Sequence, residues 1–135
     1  MAAYNKFQPF VENLAEKVFN LGTDQLTIAL TNTLPSSSAG TLASITQISY
    51  TNLSSRNITT VSSVQSGGTY KLTLQDLILT ASGSVGPFRY VVIYDDTATN
   101  DELIAWADYG SSITMTSGDA FTIDFDGTNG LFTLA

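Results

Sequence analysis

At 135 residues the chain has the length of one ordinary domain, with a single core. Hydrophobic residues make up 43% and charged residues only 13%, which excludes a disordered chain and leaves Ser, Thr, Asn and Gln to solvate the surface. The 5 basic residues (Lys6, Lys17, Arg56, Lys71 and Arg89) are scattered among 12 acidic ones for a net charge of −7, which argues against a nucleic-acid partner.

In "FQPFVENLAEKVFNLG" the residues Phe7, Phe10, Val11, Leu14, Val18 and Leu21 recur at intervals of three and four. This spacing, with Pro9 suited to a first turn and Gly22 to a stop, predicts one amphipathic helix over 8–21. Its apolar stripe must cover either its own sheet or a neighbouring subunit. From Thr23 onward, short runs rich in Thr, Val, Ile, Tyr and Phe alternate with Gly, Ser, Asn and Asp, the texture of strands and turns. Strands are predicted at 25–32, 45–49, 58–65, 69–81, 88–95, 102–109, 112–116, 120–125 and 130–135. "TLPSSSAGT" (33–41) reads as a surface loop and "QSGGTY" as a hairpin turn. Within 69–81 the alternation changes phase near Gln75 or Asp76, which predicts a bulge. The run "GPFRYVVIYDD" (86–96) sets Phe88, Tyr90, Val92 and Tyr94 on one face and Arg89, Val91, Ile93 and Asp95 on the other. Both faces are mainly apolar, so this strand is expected to be central and covered on both sides. No strand-helix-strand alternation follows residue 22, which disfavours a parallel sheet. The expected fold is all-β, an antiparallel jelly-roll-like β-sandwich (23–135) preceded by an arm and helix (1–22), in one domain over 1–135.

The chain contains neither cysteine nor histidine, so disulfides, thiolate and imidazole metal sites, and Ser-His-Asp triads are excluded. No run approaches the length of a membrane span, and the N-terminal segment lacks the apolar stretch of a signal peptide; folding in the cytoplasm where it is made is the expectation. Asp95, Asp96, Asp101, Glu102, Asp108, Asp119, Asp124 and Asp126 are acids of the kind glycoside hydrolysis needs in pairs, but acids beside Gly, Asn and Thr read as turn formers. "DFDGTNG" offers Asp124, Asp126 and Asn129 as hard oxygen ligands for calcium, yet lacks the rest of a calcium-loop pattern. Trp106, Tyr109, Tyr94 and Tyr90 invite a sugar-stacking platform, set against a reading as half core and half interface. Arg89 is read either as closing a salt bridge on Asp95, Asp96 or Asp108, or as an anchor at a subunit contact. No enzyme, cofactor or metal is expected.

The segments "NLGTDQLTIALTNTLP", "SGGTYKLTL", "TASGSVGPFRYVVIYDDT", "LIAWADYGSSITM" and "FTIDFDGTNGLFTLA" resemble, in the same order, small virion proteins of tailed bacteriophages. With the N-terminal helix they cover nearly the whole chain. The resemblance implies a non-enzymatic structural component of the particle: a head decoration or cement protein on the capsid surface. Its partners would be the major capsid protein and further copies of itself, as a homo-oligomer without nucleic acid or membrane. By that analogy the contact elements are the N-terminal arm and helix and the aromatic and Arg positions of the central strands. Amphipathicity then selects Tyr4, Phe7, Phe10, Phe19, Arg89 and Trp106. The rival expectations are a tail or head-tail component and a carbohydrate- or receptor-binding module.

Overall fold

A computed structural model describes residues 3–135. It is mainly β, with antiparallel sheets and one helix. The strands are β1 (Tyr4–Lys6), β2 (Leu26–Thr31), β3 (Thr60–Ser66), β4 (Thr69–Leu74), β5 (Leu77–Thr80), β6 (Val85–Asp95), β7 (Leu103–Met115), β8 (Ala120–Ile123) and β9 (Phe132–Leu134), and the helix α1 is Gln8–Ala15. They form a four-stranded sheet in the order β1-β7-β6-β2, a three-stranded sheet β3-β4-β9, and the pair β5-β8.

The main core lies between these sheets. Leu26, Ile28 and Leu30 of β2, Val91 and Ile93 of β6 and Ile104 of β7 meet Leu72 and Leu74 of β4, Leu79 of β5 and Ile123 of β8. A second apolar cluster lies on the other face of the four-stranded sheet, where Ala29, Val92, Tyr94 and Leu103 pack with Phe7, Ala39 and Ile45. The segment predicted as a surface loop therefore supplies part of the cover that lets β2 and most of β6 be buried on both faces.

The expected strand at 45–49 does not form. This stretch instead runs past the free edge of β2, giving one backbone bond from Ile48 N to Leu30 O (3.0 Å). Nearby, the Tyr50 hydroxyl accepts from Leu30 N, and Arg56 Nη1 donates to Ile28 O at 2.7 Å. An edge that would otherwise expose donors and acceptors is thus covered by irregular chain, which meets the same hydrogen-bonding demand.

The helix is shorter than the 8–21 predicted. Lys17 adopts a left-handed φ of 66°, and Val18 N closes on Asn13 O at 2.9 Å, so the terminating role expected of Gly22 falls five residues earlier. Phe19 and Leu21 still reach the core, but from irregular chain. Of the two partners open to the apolar stripe, the chain's own core is the one it meets. Phe10 packs on Phe19 and Phe132, with centroids 5.3 and 5.5 Å apart.

Three further departures concern strand continuity. The arm before the helix enters the sheet, pairing Tyr4 with Ala107 and Lys6 with Ala105. The bulge expected near Gln75 or Asp76 is a change of sheet: β4 ends, β5 joins β8, and Asp76 Oδ1 receives Phe125 N at 2.9 Å. The strands predicted at 102–109 and 112–116 are one strand, β7, which passes through Gly110 at φ 88°. Here Phe88 pairs with Ile113 and Tyr90 with Asp108, so the stretch Tyr109 to Ser112 opposes Arg89 alone. The irregularity changes the phase of β6. Phe88 packs against Phe121 on the main-core side with Val91 and Ile93, not with Val92 and Tyr94 as strict alternation implied.

Candidate functional site

The phase change leaves Arg89 and Tyr90 consecutive on the outer side of the sheet, with the Arg89 guanidinium 5.4 Å from the Tyr90 ring centroid. Opposite Tyr90 stands Asp108. Arg89 Nε donates to Asp108 Oδ1 at 2.8 Å and Nη2 to Oδ2 at 3.1 Å, a two-pronged ion pair with both side chains more than a third exposed. Asp108 Oδ1 also accepts Gly110 N at 2.7 Å. The Arg89 bonds, then Gly110, hold the Asp108 carboxyl below the usual carboxylate range. Of the three acids Arg89 was expected to choose among, Asp108 is its partner, because pairing across the sheet places the two side by side.

Trp106 sits next along this face, half-buried, 6.2 Å from Tyr90 in an edge-to-face arrangement and packed against the second cluster. Its indole nitrogen is buried without an acceptor among the described residues. Arg89, Trp106 and Asp108 thus form one outward patch with Tyr90 beneath it. The proposed sugar platform does not assemble. Tyr94 is buried in the second cluster, Tyr90 is 7% exposed, and Tyr109 packs on Phe121 against the main core.

The remaining expected contact residues lie inside the molecule. Phe7 is wholly buried in the second cluster, and Phe10 and Phe19 are buried in the main core. They hold the arm and helix to their own sheet, which corrects their assignment as partner-facing side chains. Tyr4 is half-buried against Phe125 (5.9 Å) with a buried hydroxyl, whose pKa is pushed up first by burial and then by Tyr109, Asp124 and Asp76.

The 124–130 loop, whose oxygens the sequence offered as weak calcium candidates, is held together by its own side chains. Asp124 Oδ1 accepts Asp126 N, Asp126 Oδ1 accepts Thr128 N and Asn129 N, and Asp126 Oδ2 accepts the Asn129 side-chain amide at 2.9 Å. These bonds build the turn and direct the carboxylates inward upon it. Among the described residues no group of three acids converges as a metal site.

A site the sequence did not single out lies at the other end of β6. A cleft of about 1150 Å3 opens between the chain following α1 and the β6–β7 hairpin, lined on one side by Leu14, Val18 and Phe19 and on the other by Asp24, Thr97 and Glu102. Asp95 lies behind this wall, 0% exposed. Its Oδ1 accepts Thr97 N (2.9 Å) and Ala98 N (3.1 Å), while Oδ2 is buried with no donor among the described residues, and the Asp24 carboxyl neighbours the side chain. Burial first, then the contact with Asp24, raises the Asp95 pKa to about 7, against the partial help of the two amides. Asp95, one of the acids offered to Arg89, neighbours a second acid instead. The "YDD" strand end gave no sign of this, since Asp24 is 71 residues away in sequence.

Compared with known protein families, curated proteins and solved structures, the chain matches none. No helix among the described residues is long and apolar enough to cross a membrane.

Proposed function

We propose that the chain is a non-enzymatic structural protein of a tailed-bacteriophage particle, a head decoration protein of jelly-roll-like sandwich form that seats on the outside of the capsid lattice. The observation that carries this reading is the character of its strand edges. β3 borders its sheet, and Val61 and Val64 stand on it 61% and 58% exposed, with Ser62 and Ser63 between them. Ile78 of β5 is 59% exposed. A free edge with apolar, uncharged side chains and no Lys or Pro to blunt it is suited to strand addition by a neighbouring chain. On a lattice such contacts repeat, and weak individual contacts add through avidity. The ordered resemblance of five segments to phage virion proteins supports the same reading.

Copy number in purified virions, by quantitative mass spectrometry against the major capsid protein, tests it. A ratio within a few-fold of the capsid subunit is expected; a few per cent or less would replace it with a tail or head-tail position. The half-buried Trp106 beside the Arg89–Asp108 pair favours a second reading, a receptor-binding module. In that case Trp106→Ala abolishes binding on a glycan array while particle assembly stays intact.

A further inference from the structure

We propose that a proton held by the buried Asp95 carboxyl beside Asp24 latches the β6–β7 hairpin onto the turn that enters β2, so that this wall of the cleft loosens as the solution becomes less acidic. The argument begins with what two carboxylates can do. Ionised, each only accepts hydrogen bonds, and two in contact repel; one proton converts the contact into a donor and an acceptor. Asp95 has one oxygen committed to Thr97 N and Ala98 N and the other buried without a partner among the described residues, and its neighbour is the Asp24 carboxyl. Asp24 is fixed from its own side, since its Oδ2 accepts Asn20 N at 2.9 Å.

Among the described residues no cation pairs with Asp95. Asp95 is faced by Asp24 from the turn before β2 and lies across the ladder from Glu102, whose carbonyl accepts Asp95 N at 3.0 Å. The hairpin tip adds Asp96 and Asp101, and Lys17 from the chain after α1 lines the cleft without an ion pair. Among the described residues Arg89–Asp108 is the one ion pair, and no three acids converge to hold a metal.

The contact sits where two loops meet. Gln25 N donates to Thr97 Oγ1 at 2.8 Å and Asp96 N to Gln25 O at 2.9 Å, so the same few residues carry bonds that join the turn to the hairpin tip. In an opened hairpin Asp95 returns to water and to an ordinary carboxylate pKa. Opening therefore releases the proton, and its equilibrium constant rises by up to about tenfold per pH unit until the closed form also ionises near neutrality, then levels.

Hydrogen exchange of the full chain at pH 5, 6, 7 and 8, corrected for the intrinsic rate, reads this directly at the amides of Gln25, Asp96, Thr97 and Ala98. Protection there should fall by up to about a hundredfold from pH 5 to 7 and then level, with Val91 to Ile93 unchanged. In Asp95→Asn the side-chain amide donates to Asp24 at every pH and its oxygen still receives Thr97 and Ala98, so the profile should be flat. Wild-type protection independent of pH, an unchanged slope in the variant, or equal loss at Val91 to Ile93 would overturn the proposal. Should Asp95→Asn not fold, Asp24→Asn supplies the same donor from the other side. Carboxyl-carbon NMR of the wild type is a second readout: ionisation of Asp95 in the ordinary carboxylate range would also overturn the latch.

Discussion

Phe10→Ala separates two meanings of the N-terminal helix, a docking element and a part of the core. Phe10 is 5% exposed, and its ring meets Phe19 at 5.3 Å and Phe132 at 5.5 Å. Truncating a buried Phe costs about 3–5 kcal/mol, and each aromatic pair adds about 0.5–1.5 kcal/mol beyond area. Phe10 also lines the groove between α1, β1 and β9, where neighbours have room to relax, so the lower part of that range, about 3–4 kcal/mol, is expected. With a urea m-value of about 2 kcal/mol per M, the unfolding midpoint should drop by about 1.5–2 M. Val11→Ala, one residue along and 53% exposed, is the control and should move stability by no more than about 0.5 kcal/mol. Urea titration by circular dichroism measures both, and particle binding is followed on the same samples. An unchanged midpoint with lost particle binding in Phe10→Ala would refute the internal packing and restore the helix as a contact surface.

Asp95→Asn should change how stability depends on pH. The folded state keeps its proton between about pH 4 and 7 while the unfolded state does not, so wild-type stability declines across that window and is level above it. The gap between about 7 and the ordinary 3.8 sets an upper bound of about 4 kcal/mol on the decline. The difference between variant and wild-type urea stabilities measured from pH 4 to 8 should therefore grow in the variant's favour and then level; a constant difference would count against a proton held on Asp95. Gly130→Ala and Gly118→Ala form a matched pair. Both sit at φ of 80–89°, but a Cβ at 130 would lie 2.7 Å from Leu72 O, whereas none lies within 4 Å at 118. The second should cost about 1–2 kcal/mol and the first clearly more, by chemical denaturation. Val61→Lys with Val64→Lys should leave folding intact, because both positions are exposed, and should lower copy number on particles if the β3 edge is a contact. Arg89→Ala, at an exposed ion pair, should leave the urea midpoint nearly unchanged.

Local pattern carried most of the architecture. The β texture after residue 23, the helix start at Gln8 with Pro9 in its first turn, the central position of β6 and the "SGG" hairpin between β3 and β4 all follow from periodicity and turn chemistry, which act over a few residues. Where local pattern failed, a distant segment had supplied the hydrogen bonds or the cover. Residues 45–49 have strand composition but lie beside a β2 edge reached only after folding, and the Asp76 carboxyl serves an amide 49 residues away.

The candidate sites divide the same way. The sequence by itself determined that chemistry based on histidine or cysteine is absent, since that depends only on which side chains exist. It also put Arg89 and Trp106 on central strands. Which acid Arg89 meets, which aromatic rings face outward, and that Asp24 and Asp95 touch were decided by tertiary structure. One irregularity in the β6–β7 ladder shifts the facing of Phe88, and burial lifts the Asp95 carboxyl above the ordinary carboxylate range. Register and desolvation are properties of assembled sheets, and neither has a signature within a single strand.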